Sequence, residues 1–311
     1  PVLSWQKDVE DQFLGDNRLR QEHDVVLAAE LYVGKVPELL RAFNRKMVDV
    51  DNKESFVSRL TNSGVTIEDF SEYLHALHAK ERNDHIAAIR EDMPDKGSGM
   101  STKVAEETKA RLNKKYGLKA LNKWKKEFRK EVIDKALDIR LEAGLITQED
   151  YDRMNEKYKN YIPLFREMDN KEGVIDSVIG GIKSFDVKGK EFKKAKGSER
   201  KVQNTVMNAL VQYESAVIRA EKNLVNKRLL ALVEAYPSES YEISGIKHRP
   251  EYDEDGEINY MVPIVRNRTD EEYIHVKVDG KVKQITFRGK QGMLIANAMK
   301  NVGSSNAIKW L

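Results

Sequence analysis

From Leu3 to about Ile89 the apolar positions recur every three or four residues, which predicts helices rather than strands. Val26, Ala29, Val33, Val36, Leu40, Phe43 and Met47 share one helical face, and Pro37 is expected to bend that helix or divide it in two. A second helix is predicted from about Thr66 to Ile89, with Ile67, Phe70, Tyr73 or Leu74, Leu77 and Ile86 turned inward. Pro94, Gly97 and Gly99 punctuate residues 91–102 as a turn-rich break.

A long basic helical stretch is predicted from Ser101 to Ala143, with a break at Gly117 and Gly144 as its C-cap. Thr147 and Asp150 fit an N-cap and its partner three residues on, opening a helix that carries Tyr151, Met154 and Tyr158 and is expected to end at Pro163. Residues 169–198 lack periodicity and read as a basic loop. Residues 199–236 predict a helix of nearly forty residues. Val202, Val206, Leu210, Tyr213, Val217, Ala220 and Leu224 would form its coiled-coil-like seam, and Pro237 would stop it.

The period then changes. Strands are predicted at 241–246, 260–265, 273–278 and 282–287, with Asp279-Gly280 supplying a two-residue hairpin turn between the last two. A short helix over 291–302 follows, and no solenoid-like repeat is present. The predicted fold is therefore mainly α: a long-helix, multi-helix assembly with a small C-terminal β-hairpin subdomain. It divides into an N-terminal helical region (1–96), a long-helix region (101–237) containing the basic loop, a small β subdomain (238–290), and a C-terminal helix and tail (291–311).

Composition adds a charged surface to this picture. Hydrophobic residues make up 40% and charged residues 34% of 311, enough to bury a core beneath solvated helix faces. The net charge of +3 names no partner by itself, but its placement is uneven. Residues 103–140 hold thirteen Lys or Arg against six Asp or Glu. Within them Lys114, Lys115, Lys119, Lys123, Lys126, Arg129 and Lys130 recur mainly at helical spacing, with Trp124 and Phe128 interleaved. Residues 183–201, including Lys193 and Lys194, add eight basic residues against three acidic ones. Such stripes suit nucleic-acid phosphates or other anions through counterion release, whereas a Lys-rich solvated helix is the plainer alternative.

The absence of cysteine excludes thiol catalysis, iron–sulfur ligation and disulfides. No apolar run reaches the roughly 18–20 residues of a membrane-spanning helix, and no signal-peptide pattern is seen. The start at Pro1 and the end at Leu311 are expected to be cut from a longer polypeptide.

Three motifs invite chemistry and each has a plainer reading. His75, His78, Arg82 and His85 share a helical face and imitate a metal site, but without a ligand-spaced carboxylate a polar seam against a neighbouring helix or loop fits better. Residues 251–258 imitate a calcium loop but lack its anchors, Glu251 standing at position one and Val262 at position twelve, so an acidic turn is preferred. Residues 97–101 open a helix as a phosphate loop would, yet lack the loop lysine, which favours a capped turn. No Gly-x-Ser-x-Gly or triad pattern appears, and no carboxylate stands in an apolar setting. No catalytic residue, cofactor or metal is therefore expected.

Residues 78–83 (His-Ala-Lys-Glu-Arg-Asn), 97–101 (Gly-Ser-Gly-Met-Ser), 143–147 (Ala-Gly-Leu-Ile-Thr) and 161–164 (Tyr-Ile-Pro-Leu) occur in this order, with Val278-Asp279-Gly280-Lys281 downstream. Over residues 69–302 the chain thereby resembles the helical associated domains of bacteriophage large polyvalent proteins. In function it resembles the internal virion (DNA-ejection) proteins of short-tailed phages.

The resemblance implies a non-catalytic structural segment of such a protein, held in the virion interior and delivered into the host envelope or cytoplasm. It would assemble into a scaffold or conduit for genome delivery. The alternative is a nucleic-acid-binding module that protects or organises injected DNA. Expected partners are copies of the chain or sister virion proteins meeting at the 206–224 face, double-stranded DNA, and a membrane surface by peripheral contact, with no small-molecule substrate. Structural work is expected of the motif residues. Glu81 and Arg82 would tie helix to loop beside His78 and Asn83, Gly97 and Gly99 would shape the turn, Tyr161 and Pro163 the helix exit, and Asp279 and Gly280 the hairpin.

Overall fold

The computed structural model describes residues 1–166, 185–187, 189, 191–192, 197–245, 248–252, 258–263 and 270–301. The fold is mainly α with a small C-terminal antiparallel sheet, as the pattern predicts.

Helix α1 (Val2–Phe13) leads into α2 (Val25–Met47), whose cap Asp24 accepts from the Leu27 amide at 2.9 Å. Pro37 lies inside α2 and neither ends nor divides it. The bond Pro37 cannot donate is a local loss, and burial of Val36, Phe43 and Met47 on either side carries the helix through. Helix α3 (Phe56–Asn62) was not separated out by periodicity; it is a two-turn element capped by Ser55. Helix α4 (Ile67–Ala87) starts at the Thr66 cap and buries Phe70, Tyr73, Leu74 and Ile86.

The basic stretch forms α5 (Thr102–Tyr116) and α6 (Leu118–Phe128), broken at Gly117. A π-helical turn (Arg129–Asp134) then passes into α7 (Lys135–Glu142). The wider turn brings both Val132 and Ile133 inward after Phe128. Helix α8 (Gln148–Lys157) opens on Thr147, whose hydroxyl accepts from the Asp150 amide at 3.0 Å. It stops at Lys157, well short of the expected end at Pro163.

The long helix α9 (Thr205–Ala235) begins six residues later than predicted. Asn204 caps it by accepting from Val206 and Met207, while Val202 pairs as an isolated bridge with Arg166 outside the helix. Of the predicted seam, Val206, Leu210, Val217 and Ala220 are buried, and Tyr213 stacks on Phe43 with ring centroids 3.7 Å apart. Leu224 is 39% exposed. The face expected to meet a partner is thus consumed inside the chain, because an internal seam and an intermolecular one demand the same side chains.

Strands β1 (Tyr241–Gly245), β4 (Glu271–Val278) and β5 (Lys281–Arg288) form an antiparallel sheet in the order β1-β5-β4. Strands β2 (His248–Tyr252) and β3 (Ile258–Pro263) pair separately. Asp279 and Gly280 both have positive φ, 49° and 72°, the geometry of the expected two-residue turn. The calcium-like stretch lies partly outside the described residues. Helix α10 (Gly289–Asn301) follows the sheet.

Two cores result. One gathers Val2, Trp5, Val25, Leu229, Ile274, Ile285, Phe287 and Met299 from α1, α2, the second half of α9, the sheet and α10. The other gathers Phe56, Phe70, Leu112, Trp124, Phe128 and Val206 from α3 to α6 and the first half of α9. With 31 residues, α9 runs about 46 Å and serves both.

Strand β4 is an edge strand, and its outer backbone groups are met by side chains instead of another strand. Asn223, fully buried on α9, donates to the carbonyls of Ala143 (2.9 Å) and Lys277 (2.8 Å) and accepts from the Lys277 amide (2.8 Å). One turn on, Asn226 donates to the His275 carbonyl at 2.9 Å. Asp186 accepts from the His275 amide at 2.9 Å.

Candidate functional site

Three of the motif stretches, 78–83, 97–101 and 161–164, meet at α4, while 143–147 and 278–281 meet each other, the Gly280 amide donating to the Gly144 carbonyl at 3.0 Å. Asn83, 1% exposed, donates to Asp95 (2.8 Å) and the Met100 carbonyl (2.9 Å) and accepts from the Ser98 amide (2.8 Å). His75 meets the Ser98 carbonyl at 3.0 Å, so part of the histidine row does face a loop as the plainer reading had it. Arg166 donates to the carbonyls of Ser98 (2.8 Å), Arg200 (2.8 Å) and Gly97 (3.2 Å). A side chain on Gly99, whose φ is +88°, would strike the Arg166 guanidinium, and one on Gly97 would come within 2.6 Å of Ile86.

Glu81 fulfils its expected role, accepting from the Asn160 side chain at 2.7 Å and its amide at 3.3 Å. Arg82 does not: its Nε is shielded from solvent without a hydrogen-bond partner, and no carboxylate pairs with it among the described residues. Tyr161 accepts from Gln212 at 3.0 Å and stands edge-on to His78, while the Pro163 carbonyl accepts from Asn208 at 3.2 Å. Tyr161 and Pro163 therefore tie the segment after α8 to α9.

Burial sets the electrostatics of this hub. It pushes His75 down to about 4 against the opposing hydrogen bond to the Ser98 carbonyl, and it lowers His78, so both imidazoles are neutral near pH 7. Burial would raise the Glu81 carboxyl, but the nearby His78 and the Asn160 hydrogen bonds together hold it below its ordinary value. His78 Nδ1 itself stands 3.7 Å from Glu81, beyond hydrogen-bond reach. Among the described residues no group of three or more His, Asp or Glu could hold a metal ion.

A second buried centre was invisible to the sequence. Glu191, with its side chain 3% exposed, receives Lys277 at 2.8 Å and Arg219 at 2.6 Å, with Arg140 at 3.5 Å. Burial works to raise this carboxyl, but Arg219 and Lys277 hold it below its ordinary range. Its partners lie 28 to 86 positions away, so no local motif announces it.

The predicted basic stripe divides in two. Lys115 is taken up by Asp69 at 2.7 Å, and Arg129 by Asp134 at 3.1 Å and the Tyr158 carbonyl at 3.3 Å. Both bond within the fold, although the Lys115 side chain stays exposed. Lys119, Lys123, Lys126 and Lys130 are exposed and have no carboxylate within ion-pair distance among the described residues. Lys123 lies against the Trp124 ring, 5.0 Å from its centroid. Lys193 and Lys194 lie outside the described residues.

Helix geometry explains the division. At 100° per residue, Lys119, Lys123 and Lys126 of α6 fall within an arc of roughly 60°, and Lys130, exposed in the π-helical turn that follows, extends the row. Leu121, Trp124 and Phe128 lie on the opposite side and fill the second core. Leu118, Lys119, Asn122, Lys123 and Lys126 line one shallow, open depression. The arrangement presents four mobile point charges on a rigidly seated helix. That suits a line of phosphates rather than an enclosed small molecule.

Comparison with protein-family models, with curated proteins and with solved structures finds no match.

Proposed function

We propose that the chain is a non-catalytic structural segment of a phage internal virion or DNA-ejection protein, and that α6 lays its lysine stripe along the phosphate backbone of DNA. The observation that carries the DNA contact is the arc of exposed lysines on α6 (Lys119, Lys123 and Lys126), continued by Lys130, without carboxylate partners among the described residues and opposite a buried apolar face. The phage setting rests on the resemblance of the motif stretches, three of which meet in a hub of hydrogen bonds at α4. Assembly with copies or sister proteins remains part of the proposal, through surfaces other than the buried 206–220 seam.

Four phosphate contacts release counterions and give log affinity against log salt a slope near −3.6, at about −0.9 per phosphate. The test is duplex binding by fluorescence anisotropy from low to moderate salt, comparing the native chain with a variant carrying Lys119→Glu, Lys123→Glu, Lys126→Glu and Lys130→Glu. The native chain is expected to bind with a slope of that order and the variant to lose binding. Salt-independent affinity, or a variant that binds as well, refutes the DNA contact.

A further inference from the structure

The lysine row of α6 leaves one flank of that helix unaccounted for. At 100° per residue, with Lys119 taken as zero, Lys123 stands about 40° to one side and Lys126 about 20° to the other. Asn122 and Leu118 follow beyond Lys126, at about 60° and about 100°. These five side chains line one open depression. All of them belong to α6, so no neighbouring element among the described residues overhangs it.

The fold makes little use of the two flanking residues. Leu118 is 54% exposed. The Asn122 side chain reaches water and has no hydrogen-bond partner among the described residues. Asparagine is a poor helix former because it competes for nearby backbone groups, and here it takes none.

Charge decides which flank faces a duplex. Next round the helix on the Lys123 side is Glu127, whose carboxylate is tied to Arg59 and has the wrong sign for phosphates. On the other side, past Leu118, stands Lys125, which donates to Asn160 at 3.2 Å. Cations therefore border Asn122 and Leu118 on both sides, as two phosphate strands border the base edges of a groove. The major groove, about 12 Å wide, admits an α-helix.

We propose that α6 lies in the major groove of duplex DNA with its lysine row on one strand, and that Asn122 and Leu118 read A·T base pairs. The amide NH2 of an asparagine donates to adenine N7 and its carbonyl oxygen accepts from adenine N6, while an aliphatic side chain packs on the thymine methyl. Four residues apart, Asn122 and Leu118 are neighbours on the helix surface, so both contacts fall within one short run of base pairs. The lysines carry no such code, because a point charge meets any phosphate. This inference rests on the DNA contact of α6 and adds a sequence preference to it.

The test is fluorescence anisotropy on three duplexes of equal length at one salt concentration. One is rich in A·T pairs, the second is the same with 7-deazaadenine for adenine, and the third holds only G·C pairs. The 7-deaza base lacks the N7 acceptor but keeps its pairing and its minor-groove edge. The native chain should bind the A·T duplex about fivefold or more tightly than either of the others, the least that one bidentate contact gives. Asn122→Ala should bind all three alike and keep the native salt slope, since it removes no charge. Leu118→Ala should keep the response to 7-deazaadenine while losing part of the A·T preference. Melting curves check that both variants fold as the native chain does.

Equal binding of the three duplexes by the native chain overturns the inference and leaves the lysine contact standing. So does an A·T preference that survives 7-deazaadenine or Asn122→Ala, because such a preference comes from duplex shape. Failure of the native chain to bind any of the three refutes the α6 contact itself, and the base reading falls with it.

Discussion

Asn223→Ala is expected to be among the most damaging single changes in the chain, although the residue touches no candidate ligand. Its side chain makes three hydrogen bonds of 2.8 to 2.9 Å to backbone groups of Ala143 and Lys277, and it is fully buried. Each bond contributes about 1 kcal/mol net, and the Lys277 amide left behind has no route to water. The expected loss is therefore about 3 to 5 kcal/mol. With unfolding entropy near 2.1 cal/mol/K per residue over 311 residues, each 1 kcal/mol moves the midpoint by about 1.5 °C, giving a drop of roughly 5 to 8 °C.

Urea unfolding measures the loss, and hydrogen exchange locates it. Protection of the Lys277 amide should collapse, while that of Ile285 on the central strand persists. Leu224→Ala, the neighbouring residue on the exposed side of the same helix, is the control and should lose under about 1 kcal/mol. If Asn223→Ala also loses under 1 kcal/mol and the Lys277 amide stays protected, the account of edge-strand capping is wrong.

Three further outcomes follow from the same geometry. Glu191→Gln, which keeps shape but removes the charge facing Lys277, Arg219 and Arg140, should cost about 3 to 5 kcal/mol by chemical denaturation. Gly280→Ala should lose about 1 to 3 kcal/mol, since φ is +72° there and a methyl group would come within 2.9 Å of the Thr147 amide nitrogen. Stability should also fall in mild acid. The folded value of His75, about 4, lies below its ordinary 6.5, so the unfolded chain binds the extra proton between those values. The His75 contribution is complete above about pH 6.5 and is lost as pH falls towards 4, with His78 acting in the same direction. His75→Gln should flatten that slope, measured as denaturation midpoint against pH.

Much of the architecture was legible because it depends on local rules. The Asp279-Gly280 pair fixes a turn by backbone preference alone, and Thr66 and Thr147 cap their helices through contacts three residues away. The errors arose where a distant partner decides. Val202 continues the helical period of α9 yet pairs with Arg166, because Asn204 offers a better start. Pro37 is tolerated because packing on both sides outweighs one missing bond. Lys115 and Arg129 fit the basic stripe by spacing, but acidic and carbonyl partners on α4 and beyond α8 claim them.

The residues that sequence reasoning missed were Asn223, Asn226, Glu191 and Arg166. The two asparagines did leave a trace, as amides three residues apart on an otherwise apolar helix. Nothing local distinguishes Glu191 or Arg166 from any other surface charge, since each is defined by segments that only the fold brings near.

The passage of α9 through both cores carries a consequence for how the molecule melts. Neither core can lose its walls without stripping apolar cover from half of that helix, and a 31-residue helix bared along half its length has little reason to persist. Melting should therefore be cooperative across the two cores. The van't Hoff enthalpy should approach the calorimetric one, and protease cleavage within 205–235 should leave no stable half. The two large cores should therefore be lost together, with α9 as their common wall.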